Sequence, residues 1–128
     1  NFKRSNFEAF IKNKPVLKVA YFIWRNPWMV AANNTYINHI LALNNFDNIY
    51  KNKERYPEVE LKKIRLEGDP DLVLLSSEPY PFKEDHAFEL GRHTHHAKTI
   101  FVDGEFFSWH GSRLLKAFDY FIALRSRA

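Results

Sequence analysis

Apolar positions along the chain follow two different rhythms. At 16–23, 72–75 and 99–102 they run almost without interruption and are rich in β-branched and aromatic side chains. Such runs predict strands covered on both faces. Elsewhere they recur at helical spacing. Phe7, Phe10 and Ile11 mark a helix over 2–13 that Pro15 stops. Ser5 and Glu8 have the spacing of a capping box that would start it; the alternative is the tail of a longer helix. Asn33, Asn34 and Thr35 supply capping groups for a helix whose apolar face is Tyr36, Ile37, Ile40 and Leu41, with Asn44 and Asn45 at its end. Further helices are predicted at 60–67, stopped by Gly68, at 83–91, and at 111–125. The last carries a wide apolar stripe of Leu114, Leu115, Phe118, Phe121 and Ile122. The stretch 46–57 reads as an irregular link.

Strands alternating with helices imply right-handed βαβ units. The expected fold is therefore α/β: a three-layer, Rossmann-like sandwich around a small, mostly parallel sheet. A fourth strand is expected to be irregular or absent. There is no internal repeat and no low-complexity segment.

With 128 residues, 45% apolar and 27% charged, the chain has the size and composition of one globular domain. The net charge of +4 comes from scattered cations rather than a basic stripe, so no nucleic-acid partner is expected. Absence of cysteine excludes disulfides, thiolate metal sites and cysteine nucleophiles. No run approaches a membrane span, and no signal-peptide pattern is present. Because the chain starts at Asn1, a processed, trimmed or proteolytic product is expected. The unusual quantity is aromatic content, at 16%.

Many of these rings lie just beyond the predicted strands. The first strand opens onto Trp24, Arg25, Pro27 and Trp28; the second onto Glu78, Pro79, Tyr80, Pro81 and Phe82; the third onto Glu105, Phe107, Trp109 and His110. Ligands of open α/β sheets bind outside the carboxyl ends of the strands. Two indoles flanking a proline suit a rigid contact surface, and Arg25 offers paired donors to a carboxylate or phosphate. The alternative is that both indoles pack on neighbouring helices while Arg25 is solvated. Glu78 to Phe82 is a stiff turn, equally compatible with rigid ligand presentation and with a simple helix entry. His110 would serve as general base or metal ligand in a catalytic reading, but no assignable partner stands beside it. His93, His95 and His96 fall between a helix and a strand, at the opposite end of the sheet from the aromatic loops. A solvated turn is expected there rather than a metal site. Phosphate-loop, nucleophile-elbow and His-Glu-x-x-His signatures are absent.

At these positions the chain resembles a known family. Ile23 to Met29, Arg55 to Val59, Asp69 to Pro79, and Val102 to Glu105 followed by Ser108, Trp109, Gly111, Ser112 and Arg113, occur in an order and spacing that covers nearly the whole chain. They look like the C-terminal lobe of the substrate-binding proteins that serve ABC importers of vitamin B12, haem and ferric siderophores. The resemblance implies one lobe of a bilobal class III periplasmic-binding-protein fold, a helical-backbone metal receptor. Residues 1–14 would end the helix joining the lobes, and 15–128 would form the C-terminal lobe, the N-terminal lobe lying outside this chain. It implies no intrinsic cofactor, a metal-chelate ligand, a membrane permease as partner, and a periplasmic or cell-surface location in bacteria. Tyr56 falls where B12-binding members carry a ligand-contacting Trp, and Glu105 where they carry a ligand-facing Asp. Two features depart from the pattern: half of any cleft is missing, and lysine (Lys62 and Lys63) stands where members place a glutamate that docks onto the permease. Glu58 and Glu60 are the candidate substitutes.

The leading expectation is a non-enzymatic binding lobe with Trp24, Arg25, Trp28, Tyr56, Glu78, Tyr80, Phe82, Glu105, Phe107 and Trp109 facing the ligand. The alternatives are a small α/β enzyme using Glu78, Glu105 and His110, and an interaction module whose aromatic face meets another protein or a second copy of the chain.

Overall fold

The computed structural model describes residues 2–109 and 113–128. The elements are helix α1 (Phe2–Lys12), strand β1 (Leu17–Trp24), β2 (Met29–Val30), α2 (Tyr36–Leu43), β3 (Phe46–Asn48), a 3₁₀ turn (Leu61–Lys63) running into α3 (Ile64–Glu67), β4 (Leu72–Ser76), α4 (Glu84–Gly91), β5 (Lys98–Val102), a second 3₁₀ turn (Gly104–Phe107) and α5 (Leu114–Arg127). Helix α1 is already under way at Phe2, so Ser5 lies inside it and does not cap it.

Among the described residues one mixed, mostly parallel sheet is formed. β1 is its centre. One edge of β1 is shared: residues 17–19 pair in parallel with β3, and Phe22 and Trp24 pair antiparallel with β2. The other edge carries β4 in parallel, with Val19 opposite Leu72 and Phe22 opposite Leu75, and β5 pairs in parallel beyond it. The chain therefore leaves β1 toward β3, then crosses over it to β4. That reversal makes the carboxyl ends of β1 and β4 the switch point of the sheet, where a crevice must open.

Alternation along the strands sorts the core into two layers. Val19, Tyr21, Leu72, Leu74, Ile100 and Val102 face α1, α2 and α5, meeting Phe7, Ile40, Leu41, Phe118, Phe121 and Leu124. Phe7 stacks on Phe118 with ring centroids 5.0 Å apart, which fastens α1 to α5. Ala20, Phe22, Val73 and Leu75 face the other way, onto Tyr50, Leu61, Ile64, Phe82 and Leu90. Residues 19–22 of β1 and all of β4 are thus dry on both faces, as their apolar runs predict, while Lys18 and Trp24 of β1 stay exposed. The edge strand β5 is covered on one face only, and Phe101 on its open face stays 40% exposed.

Two strands escape the apolar pattern. β3 falls within the stretch read as an irregular link, because two of its three residues are Asp47 and Asn48. Asn48 is buried yet fully employed. Its amide donates to the Ala31 carbonyl (2.9 Å) and to Asn38 Oδ1 (3.0 Å), and its Oδ1 accepts from the Tyr50 N–H (3.0 Å). A buried amide so satisfied costs little and ties β3 to α2 and to the segment after β2. β2 is only two residues long and carries no alternation. Helix α2 is capped as its sequence suggests: Thr35 Oγ1 accepts from Asn38 N–H (3.0 Å), and Asn45 beyond the last turn takes a φ of 60°.

Core position decides the cost of truncation. Leu74→Ala, buried between β1 and β5, is expected to lower unfolding free energy by about 2–5 kcal/mol, against under about 1 kcal/mol for Phe101→Ala on the open face. Urea unfolding measures both; equal losses would contradict this layer assignment.

Candidate functional site

A cleft of about 330 Å³ opens at the switch point. Its floor comes from strand ends. Tyr21 and Ile23 belong to β1, Ser76 to β4, and Gly104 to the 3₁₀ turn after β5. Its walls are Ile37 of α2, Tyr56 from the link after β3, Glu78 and Pro79 beyond β4, and Ser108. The cleft is mostly apolar with a few polar groups at its base, the usual make-up of a small-molecule site.

The polar base is an ordered relay. The Tyr21 hydroxyl donates to Ser76 Oγ (3.2 Å), and Ser76 Oγ donates to the Glu78 carbonyl (2.6 Å) while accepting from the Glu78 N–H (3.3 Å). Burial pushes the Tyr21 phenol above its ordinary range, so it remains a neutral donor. Gly104 closes on this relay from the other side, its N–H donating to Ser77 Oγ (3.0 Å). A Cβ there would overlap Ser76 Oγ and lie 2.9 Å from Glu78 Cγ and 3.2 Å from the Glu78 carbonyl oxygen. The close approach of the two turns requires a glycine.

The sequence-predicted residues divide into three groups around this cleft. Tyr56, 37% exposed, and Glu78, also exposed, line it directly. Trp24, Tyr80, Phe82 and Trp28 form an aromatic cluster on the face covered by α4. The Trp24 and Tyr80 rings meet edge-on at 5.4 Å, Tyr80 and Phe82 are tilted at 4.7 Å, and Phe82 stacks on Trp28 at 5.9 Å. Within that cluster Phe82 is buried, and Trp28 packs against Phe22 of the core. Only Trp24, 38% exposed, presents much surface. Arg25 is not a free anion receptor: it pairs with Glu89 of α4, its Nη2 2.9 Å from Oε1, which holds the guanidinium's pKa above its ordinary value.

The third group lies beyond β5. Phe107 is wholly buried against Tyr21 (5.0 Å) and Phe121 (5.6 Å), so it supports the floor from beneath and offers no surface to a ligand. Trp109 packs on Phe106 (4.6 Å), its carbonyl accepts from the Tyr36 hydroxyl, and the Arg113 guanidinium sits over its ring at 4.9 Å. Glu105 is exposed, with Arg113 Nη2 3.8 Å away. His110, with Gly111 and Ser112, lies outside the described residues.

Beside Pro79 of the stiff turn, the cleft is lined by Tyr21, Ile23, Ile37, Ser76, Gly104 and Ser108, none of which was expected to face a ligand. One signal was present: a hydroxyl pair, Ser76 and Ser77, directly after a fully apolar run, with one of the chain's four glycines directly after the next strand. No helix among the described residues is long and apolar enough to cross a membrane.

No protein-family profile and no curated protein matches the chain. Solved structures do. The fold is similar to the periplasmic vitamin B12-binding protein BtuF of Vibrio cholerae, with a TM-score of 0.74 and 11% identity over 99% of this chain and 52% of that one. It is similar to the periplasmic haem-binding protein HutB of Vibrio cholerae, with a TM-score of 0.71 and 18% identity over 96% and 52%. A possible iron-binding periplasmic protein from Staphylococcus epidermidis gives 0.72 and 17% over 98% and 51%. The chain spans about half the length of these structures. It has the fold of one lobe of a periplasmic binding protein.

Proposed function

We propose that the chain is the C-terminal lobe of a two-lobed substrate-binding protein. In this reading it holds a metal chelate (a corrinoid, haem or ferric siderophore) against the cleft and presents it to an ABC importer outside the cytoplasmic membrane. The observation that carries the reading is the cleft itself: apolar walls over a rigid relay of neutral polar groups, at the switch point of the sheet. Tyr56 is the ring best placed to lie against a macrocycle or catecholate. Covering roughly 100 Å² of aromatic surface would contribute about 2.5 kcal/mol. Glu78, exposed on the wall, supplies a polar contact that orients a ligand, over a floor in which the Ser76 hydroxyl is already saturated. The reading involves binding without chemistry, and the second lobe would close the open side by hinge motion.

Docking onto the permease falls to the face around the first 3₁₀ turn. There Lys62 and Lys63 both pair with Glu60, at 3.6 and 3.8 Å. Glu58 is exposed and in no ion pair among the described residues, which makes it the better substitute for the missing glutamate.

Calorimetric titration with haem, cyanocobalamin and a ferric siderophore tests the proposal. One of the three classes is expected to bind, with Tyr56→Ala losing at least about tenfold in affinity, equivalent to 1.4 kcal/mol. Failure of all three to bind, or an unchanged constant for Tyr56→Ala, would overturn it. Gly104→Ala is expected to lower both ligand affinity and stability, the latter by about 1–3 kcal/mol. Gly91→Ala, whose new methyl meets nothing within 4 Å, should match or exceed the parent in stability. Thermal melts of the two variants distinguish these outcomes, and an undisturbed Gly104→Ala protein would show that the floor is not packed as described.

A further inference from the structure

The opposite end of the sheet from the cleft holds a second cluster of chemically active side chains. Parallel pairing of β4 with β5 brings together the segments that precede them, and the Lys98 N–H donates to the Asp71 carbonyl (3.0 Å) to lock them side by side. Asp69 and Asp71 come from the first segment, His95 and His96 from the second. His95 Nδ1 lies 3.5 Å from Asp69 Oδ2, His96 Nδ1 lies 3.9 Å from the same oxygen, and the two Nδ1 atoms are 3.5 Å apart.

Three donor atoms thus face one another in a triangle. A tetrahedral ion with bonds of about 2.0–2.1 Å needs ligand–ligand edges of about 3.3 Å. Two edges are within about 0.2 Å of that length, and the third closes by a small rotation of an exposed side chain. An octahedral ion such as magnesium, bonded at similar length, needs edges nearer about 3.0 Å and prefers oxygen donors.

Orientation is also supplied. His96 Nε2 is 2.7 Å from Asp71 Oδ1, and the other oxygen of Asp71 accepts from the Lys18 N–H (2.9 Å). A proton on Nε2, held by that carboxylate, leaves Nδ1 with its lone pair directed at the triangle. This is the carboxylate–histidine support that metal-binding imidazoles commonly have. The loop carrying both histidines is itself clamped, because Arg65 donates to the carbonyls of His93 (3.2 Å) and Thr94 (3.0 Å). Asp69 adds a second independent sign. Its Oδ1 is buried without a hydrogen-bond partner, and its Oδ2 is the oxygen turned to the two imidazoles.

We propose that Asp69, His95 and His96 form a three-ligand site for a divalent transition-metal ion, zinc being the best fit, with Asp71 orienting His96. Two imidazoles and one carboxylate leave a net positive charge on the bound ion and one position open to water or to a ligand from a partner. Bound metal joins the leading ends of β4 and β5. The site is remote from the cleft and stands or falls separately from the chelate-binding reading.

Titration of the untagged protein with zinc chloride in a non-chelating buffer tests the site, with cobalt(II) as a spectroscopic probe. Expected are a 1:1 isotherm at submillimolar zinc, the intense visible absorption of tetrahedral cobalt, and a rise in melting temperature with zinc. His95→Ala changes only an exposed side chain, and Asp69→Asn retains a residue that tolerates its φ of 46°. Each should weaken zinc binding at least about tenfold, and Asp71→Asn by roughly 10–100-fold. His39→Ala, an exposed histidine on α2, should bind as the parent does. No 1:1 binding, binding unaffected by His95→Ala, or equal loss in His39→Ala would overturn the assignment.

Discussion

The parallel ladder between β1 and β4 is the constraint on which the rest of the lobe depends. Residues 19–22 of β1 and all of β4 are dry on both faces, so no water relieves a misplaced polar group there. Their register is pinned by polar contacts at each end. At the start, Asp71 donates its N–H to the Lys18 carbonyl (2.8 Å), and its carboxylate accepts from the Lys18 N–H (2.9 Å). At the finish, the Tyr21 hydroxyl reaches Ser76 Oγ (3.2 Å). A slip of one residue would invert the faces of the strand and strand that hydroxyl, at a cost of about 1–3 kcal/mol for the lost partner alone.

Both candidate sites are consequences of this ladder. Because β3 and β4 leave β1 on opposite edges, the segments after β1 and β4 diverge and open the cleft. The groups that pin the finish of the ladder, Tyr21 and Ser76, are the floor of that cleft. Asp71, which pins its start, reaches across to His96. Rigid strand ends thus place functional groups at both ends of one sheet. Phe107 beneath Tyr21 and the Trp28–Phe82 stack beside Phe22 keep those ends from relaxing.

Much of the fold was legible because burial writes itself into long apolar runs. β1, β4 and β5, the stripe of α5 and the Thr35 cap all follow from side chains whose partners are close in sequence or similar in kind. β3 was illegible because one of its two buried residues is an asparagine satisfied by partners 10 and 17 positions away. The site was legible only in part. Aromatic residues at strand ends suggested a ligand surface, yet Phe82 and Phe107 are spent on the core, and Arg25 is held by Glu89 at a separation of 64 residues. Tyr21 was hidden for the opposite reason: inside an apolar run, a hydroxyl reads as strand until the topology shows which partner it meets, here Ser76 just past the neighbouring run. The histidine run is an exposed turn, as read, and its carboxylate neighbours about 25 positions upstream, which only β4–β5 pairing brings to it, were not legible.

The ligand surface is proposed to be the carboxyl ends of β1 and β4. Amide chemical-shift mapping, with a metal-free porphyrin or corrinoid added to isotopically labelled protein, tests it most directly. The perturbed amides are expected to cluster at Tyr21, Ile23, Tyr56, Ser76 to Glu78 and Gly104. Shifts confined to the Trp24–Tyr80 cluster, to Ile49 to Lys53, or to the helical faces would contradict it.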